Sequence, residues 1–246
     1  MSYIDIIHLN KSFPDGEGKE TNVLEDITFH VEKGELLSIM GDSGSGKSTL
    51  LKILGGIQSH SKGRINIDDK LLSNFTEKQM DEYRKKKIGY IFQEYNLLDG
   101  LTVKENIILP LTIDHLPAKM IEANYQNLVE KFHIKELETR YPGSLSGGQQ
   151  QRVAICRAVI KGAEIILADE PTANLDSKNT KIVIDLLKSI NKTDKTTVFI
   201  STHDANVAKS CNRIIFLDKG TNVAELKNEG NPQTFYDKLV RRVIAM

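Results

Sequence analysis

Nine consecutive residues, Gly41-Asp42-Ser43-Gly44-Ser45-Gly46-Lys47-Ser48-Thr49, have the composition and spacing of a phosphate-binding loop. The glycines let backbone N–H groups converge on phosphate oxygens, and a helix opening at Lys47 adds the positive end of its dipole. In that arrangement Lys47 reaches the β- and γ-phosphates of a nucleotide and the Ser48 hydroxyl ligates Mg²⁺. The plainer alternative is a Gly/Ser-rich turn before an ordinary helix, but an apolar strand at 35–40 precedes the loop, as phosphate binding requires. A second run, Ile165-Ile166-Leu167-Ala168-Asp169-Glu170, is an apolar strand ending in two carboxylates. In an open α/β sheet that end lies beside the loop, so Asp169 would hold Mg²⁺ through water and Glu170 would polarise an attacking water. Taken alone, the same pair reads as the solvated start of a loop. A third, Leu145-Ser146-Gly147-Gly148-Gln149, begins a helix and offers another anion site, although Ser146 serves equally well as an ordinary N-cap. Two phosphate-type sites in one chain are explained if two copies share a nucleotide.

These residues need a scaffold that brings strand ends and helix starts together. Short β-type segments at 3–9, 27–31, 35–40 and 64–68 surround the loop, with a turn-rich stretch at 14–18 and a helix from 47 to 54. Thr76 with Gln79, and Thr102 with Glu105, are capping-box patterns that open helices. Between 94 and 160 helical patterns dominate, at 117–132 and 147–160. Strand and helix then alternate at 164–167, 177–190, 196–201, 204–210 and 213–217, which predicts a parallel sheet flanked by helices. A tail helix at 232–243 would present Phe235, Leu239 and Val243 on one face.

Composition narrows the function classes. With 33 basic and 33 acidic side chains in 246 residues, the chain has no net formal charge, which argues against nucleic acid as a partner. No apolar run reaches the ~20 residues needed to span a bilayer, and no signal peptide is expected at the start, so a link to a membrane would run through another protein. Cys156 and Cys211 stand far apart, indicating neither a disulfide framework nor a zinc site. The run Arg84-Lys85-Lys86-Lys87 reads as a solvated helix face.

Taken in order, the motifs resemble those of the nucleotide-binding subunit of ATP-binding-cassette (ABC) transporters along essentially the whole chain. Residues 41–49 match Walker A, 145–149 the signature and 165–170 Walker B with its glutamate. Gln93 matches the Q-loop glutamine, Asn174-Leu175-Asp176 the D-loop and His203 the switch histidine. The resemblance implies one α/β domain of the P-loop NTPase type. Its core would span 1–93 and 161–246, with a mainly parallel sheet and an N-terminal antiparallel β subdomain, and a helical subdomain would be inserted at 94–160. It further implies an ATP-dependent head-to-tail homodimer, with Ser146, Gly147, Gly148 and Gln149 of one copy closing on ATP held by Gly41, Ser43, Gly44, Ser45, Gly46, Lys47, Ser48 and Thr49 of the other. Glu170, His203 and Gln93 would be catalytic, Asp176 would reach the shared nucleotide, and Ser48, Gln93 and Asp169 would serve Mg²⁺. Phe13 matches the aromatic that stacks on adenine, its alternative being a core aromatic near a turn.

Within the family the chain is similar to the branch of lipoprotein-release, macrolide-export and antimicrobial-peptide-resistance ATPases. The turn-rich loop at 14–21, Glu94-Tyr95-Asn96-Leu97-Leu98, Leu101-Thr102-Val103-Lys104-Glu105-Asn106 and Ala168-Asp169-Glu170-Pro171-Thr172 carry that likeness. Tyr95 to Asp99 and Gln233-Thr234-Phe235-Tyr236-Asp237 look most like the bacitracin-export group, which implies an integral-membrane permease as partner, a sensor kinase reached through it, and a place on the cytoplasmic side of a bacterial membrane. A lipoprotein-release or macrolide-export ATPase, a soluble ABC ATPase and a cell-division regulator are the alternatives. Repair-type and translation-factor cassettes are excluded, because the chain has neither a long coiled coil nor a second cassette.

Overall fold

In the computed structural model, residues 2–15 and 18–244 are described; Gly16 and Glu17 of the expected turn-rich loop lie outside them. Two sheets organise the chain. The first is antiparallel, in the order β2-β1-β4-β5, from β1 (Ile4–Pro14), β2 (Glu20–Val31), β4 (Lys62–Ile67) and β5 (Lys70–Leu71). The second has the order β10-β9-β3-β8-β7-β6 and comprises β3 (Leu36–Met40), β6 (Ile88–Ile91), β7 (Ile165–Asp169), β8 (Thr197–Thr202), β9 (Arg213–Asp218) and β10 (Thr221–Lys227). Its strands pair in parallel except β10, which returns antiparallel on β9. The α/β fold with an antiparallel sheet beside a mostly parallel one is as the sequence indicated.

Strands buried on both faces read as continuous apolar runs, and their alternate residues feed two cores. On β7, Ile166 and Ala168 join the helices of the middle block, whereas Ile165 and Leu167 join the core under the antiparallel sheet. Helix α1 (Lys47–Leu54) sits in that second core through Leu50, Leu51, Ile53 and Leu54. The middle block holds α3 (Val103–Ile113), α4 (Ala118–Phe132) and α5 (Gly147–Val159), packed through Ile107, Tyr125, Val129 and Val153. Both expected capping boxes form, on α2 (Glu77–Lys86) and on α3. The two sheets are joined at Asn222, whose side-chain amide accepts from the Thr28 N–H at 3.3 Å and donates to the Thr28 carbonyl at 3.0 Å.

Three expectations are corrected. Strand β1 runs to Pro14 rather than stopping near Leu9, carried by a long irregular pairing with β2. Strand β10 was not foreseen, because it is an edge strand whose side chains are only intermittently covered. In the tail helix α8 (Pro232–Ile244), Phe235 and Leu239 are buried but Val243 is exposed. Eight residues at ~100° each carry Val243 about 80° off the line of Phe235. The basic run at 84–87 makes ion pairs, two within its own helix (Arg84 with Asp81, Lys86 with Glu82) and two with distant residues (Lys85 with Asp114, Lys87 with Glu164). Both cysteines are buried and free, and burial pushes their thiols up.

Candidate active site

The cleft starts where β3 ends. After Met40 the chain turns through residues 41–46 and enters α1 at Lys47. Gly46 caps the helix in a left-handed conformation (φ 96°), and a Cβ there would fall 2.6 Å from Leu24 Cδ2 and 2.8 Å from the Val23 carbonyl. A larger residue is therefore excluded by both backbone strain and the neighbouring strand. The Lys47 ammonium is buried, donates to the carbonyls of Gly41 and Asp42 at 2.8 Å each, and lies 3.5 Å from Glu170 Oε1. The Ser45 hydroxyl is buried with no hydrogen-bond partner among the described residues, packed against Gly41, and Ser45 does not line the cleft.

Strand register delivers the carboxylates. Asp169 on β7 pairs with Ser201 on β8, and the Ser201 hydroxyl donates to Asp169 Oδ1 at 2.8 Å. Ser48, from the first turn of α1, donates to the same oxygen at 2.8 Å, and Tyr90 on β6 donates to Oδ2 at 3.3 Å. Burial, reinforced by the Asp169 charge, pushes the Tyr90 hydroxyl up and keeps it a donor. Glu170 follows in a left-handed conformation (φ 45°), costing ~1–2 kcal/mol for an L-residue. Its N–H donates to Ser201 Oγ at 2.9 Å, which holds that turn. His203, just past β8, brings Nδ1 to 3.1–3.2 Å from the Glu170 carboxylate.

A pocket of about 590 Å³ opens here, lined by Val23, loop residues 42–44 and 46–49, Gln93, Glu170, Ala173 and His203, with neither Ser45 nor Asp169 in its wall. That volume suits a nucleotide-sized ligand. None of Ser146, Gly147, Gly148 and Gln149 lines it. They form the first turn of α5, where Ser146 and Gln149 make a reciprocal capping box, so the ordinary N-cap reading of Ser146 holds for the single chain. Asp176 is also outside the pocket. It caps α6 (Ser177–Asp194), and the hydrogen bonds it accepts from Asn179 hold its carboxyl below the usual range. Phe13 on β1 is half-buried with the Lys11 ammonium 4.6 Å from its ring centroid, and it joins none of the core clusters. The core-aromatic alternative for Phe13 thereby loses its support.

A cradle for phosphate facing two carboxylates is the arrangement of nucleotide hydrolysis, and comparison with known proteins identifies the lineage. The ABC transporter family pattern matches residues 24–173. The chain belongs to the ABC transporter family. The bacitracin export ATP-binding protein of Halalkalibacterium halodurans is 41% identical over 242 residues, covering 98% of this chain and 95% of that protein. The macrolide export ATP-binding/permease protein of Aggregatibacter actinomycetemcomitans is 41% identical over 92% of this chain but only 35% of its own length. Among solved structures, the dimeric post-hydrolysis ATP-binding cassette MJ0796 bound to ADP and Pi aligns with a TM-score of 0.85 at 36% identity, covering 93% of this chain and all of that one. This ABC chain is thus a nucleotide-binding ATPase subunit of a transporter.

Several groups that complete the ABC site were not singled out by sequence reasoning. Ser201 and Tyr90 reach Asp169 through strand pairing that no local motif records. Asn106, fully buried, accepts from the Leu98 N–H and donates to the carbonyls of Leu98, Leu101 and Thr102, riveting the segment that follows Gln93. Its signal was present in the Leu101-to-Asn106 stretch, used above only for likeness.

Proposed function

We propose that this ATPase powers a membrane permease in resistance to, or export of, cell-wall-active antimicrobial peptides. The observation that carries the reading is near-full-length similarity to the bacitracin export ATP-binding protein at 41% identity. In this reading the chain works on the cytoplasmic face of a bacterial membrane, and a sensor kinase communicates with it through the permease. No helix among the described residues is long and apolar enough to cross a membrane, so the reading requires that partner. Residues 94–160 act as the helical subdomain and the remainder as the core.

The chemistry follows from the cleft. Lys47, freed from the Gly41 and Asp42 carbonyls, turns its ammonium to the β- and γ-phosphates of ATP, while loop amides, that of Ser45 included, take the remaining oxygens. Ser48 and Asp169, hydrogen-bonded to each other, offer the hard oxygen donors that suit Mg²⁺, and Gln93 lines the same pocket as Ser48. That ion would neutralise developing phosphate charge. Glu170 accepts a proton from the attacking water, and His203 holds the Glu170 carboxylate and faces the γ-phosphate. Phe13 stacks on the adenine. Ser146, Gly147, Gly148, Gln149 and Asp176 act on the nucleotide of a second copy, because they lie outside the pocket of their own. Deleting the gene and testing a panel of lantibiotics and bacitracin-like peptides checks the assignment. Raised susceptibility is expected; unchanged susceptibility with a lipoprotein-sorting defect would overturn it.

A further inference from the structure

We propose that Arg157 is a positioning residue that ties the backbone behind Gln93 to the helix carrying Ser146–Gln149, so that the two move as one unit. The proposal rests on the site reading above. Arg157 projects from α5 and donates through Nη1 to the Asn96 carbonyl at 2.6 Å and through Nη2 to the Tyr95 carbonyl at 2.7 Å. Tyr95 and Asn96 are both left-handed (φ 61° and 47°), and neither is glycine. Successive residues of that conformation turn their carbonyls the same way, and a planar guanidinium takes both with one fork. Partial burial lowers the Arg157 pKa, and among the described residues no carboxylate pairs with it, so the two carbonyl dipoles are its protein partners. That is a costly arrangement for a merely solvated arginine, and an unstable backbone turn without it.

The same turn is gripped a second time. The Tyr95 hydroxyl lies where a Cβ on Gly147 would come within 2.9 Å, directly over the start of α5. Residues 95–96 thus contact α5 both at its first residue and at Arg157. Three residues before Asn96, Gln93 lines the phosphate pocket, from which residues 146–149 are absent. Arg157 is placed to transmit a displacement at Gln93 to the helix that must meet another copy's nucleotide. Arg157 is not among the residues that line the phosphate pocket.

The test uses Arg157→Gln and Arg157→Lys in the full chain. Lysine keeps the charge but lacks the two-armed fork, and it carries the test should the glutamine variant fold poorly. Amide hydrogen exchange is expected to rise about tenfold or more at residues 95–98 while exchange in α1 stays as in the parent. Steady-state hydrolysis should show kcat down about tenfold, with affinity for Mg-ATP changed less than about twofold, since the loop is untouched. Combined with Gln93→Ala, Arg157→Gln should lower kcat no further, because both act on one element. Unchanged exchange at 95–98 in both variants would overturn the tie, as would kcat losses that multiply in the double variant. Gln93→Ala hydrolysing at the parent rate would remove Gln93 from the site reading, and the exchange result would then decide the tie by itself.

Discussion

Replacing Ser201 with alanine removes one oxygen from the place where both carboxylates are set. Its hydroxyl donates to Asp169 Oδ1 at 2.8 Å and accepts from the Glu170 N–H at 2.9 Å, and the residue is fully buried. A hydrogen bond to a charged group contributes roughly 1.5–3 kcal/mol, and a buried N–H left without a partner costs a similar amount. Asp169 keeps Ser48 and Tyr90, so the two losses overlap and a net of about 2–3 kcal/mol is expected. In a chain of this size that lowers Tm by roughly 4–12 °C. Glu170 loses the contact that holds its left-handed turn, and kcat should fall at least about tenfold, given how steeply rate follows placement of a reacting group. Ser38→Ala is the internal control. That hydroxyl is equally buried in β3, one strand from Ser201, yet bonds to nothing. Its removal should leave Tm and kcat unchanged or slightly raise Tm. Differential scanning calorimetry and a phosphate-release assay on both variants decide the matter. Equal melting of Ser201→Ala, Ser38→Ala and the parent would refute the reasoning.

Glu170→Gln keeps the contact with His203 but removes the base, so hydrolysis should drop about 10²-fold or more while ATP still binds. Size-exclusion chromatography in Mg-ATP should then show an accumulated dimer, abolished by adding Ser146→Arg; parent-rate hydrolysis would take Glu170 out of the mechanism. Gly148→Ala places a Cβ 2.3 Å from Asn179 Oδ1 and 2.9 Å from Asn179 Cβ, which should destabilise the chain by roughly 1–3 kcal/mol through the Asn179–Asp176 cap. A Tm equal to the parent's would show that the close approach is absorbed elsewhere.

What the sequence discloses depends on where the information sits. The phosphate loop is legible because one strand, one turn and one helix start occupy nine consecutive residues, and the two carboxylates end a single apolar strand. The alternating strands and helices after residue 164 are legible for the same local reason. Ser201, Tyr90 and Arg157 are not, since each acts on a residue between 31 and 79 positions away through register or helix packing. Val243 shows the opposite error: a stripe at helical spacing predicts a buried face, but burial also needs a surface to cover that turn.

The first turn of α5 bears on the proposal that the cleft of one chain is half of a site. A helix start leaves its leading N–H groups without intrahelical partners. Here the capping box occupies two of them, the Gln149 N–H on the Ser146 hydroxyl and the Ser146 N–H on the Gln149 side chain. The amides of Gly147 and Gly148 remain for an anion, and a Cβ at Gly148 would strike the very side chain that ties Asp176 in place. The cap is thus a complete capping box in the single chain. The pocket beside Lys47 contains none of these groups, so under the proposed function the phosphate they meet would be presented by another copy of the chain. The dimeric cassette to which this chain aligns over 93% of its length accords with that geometry. On that proposal hydrolysis loosens the interface only once the cleaved phosphate leaves, because ADP and phosphate together keep the negative charge that the loop of one copy and the helix start of the other would hold.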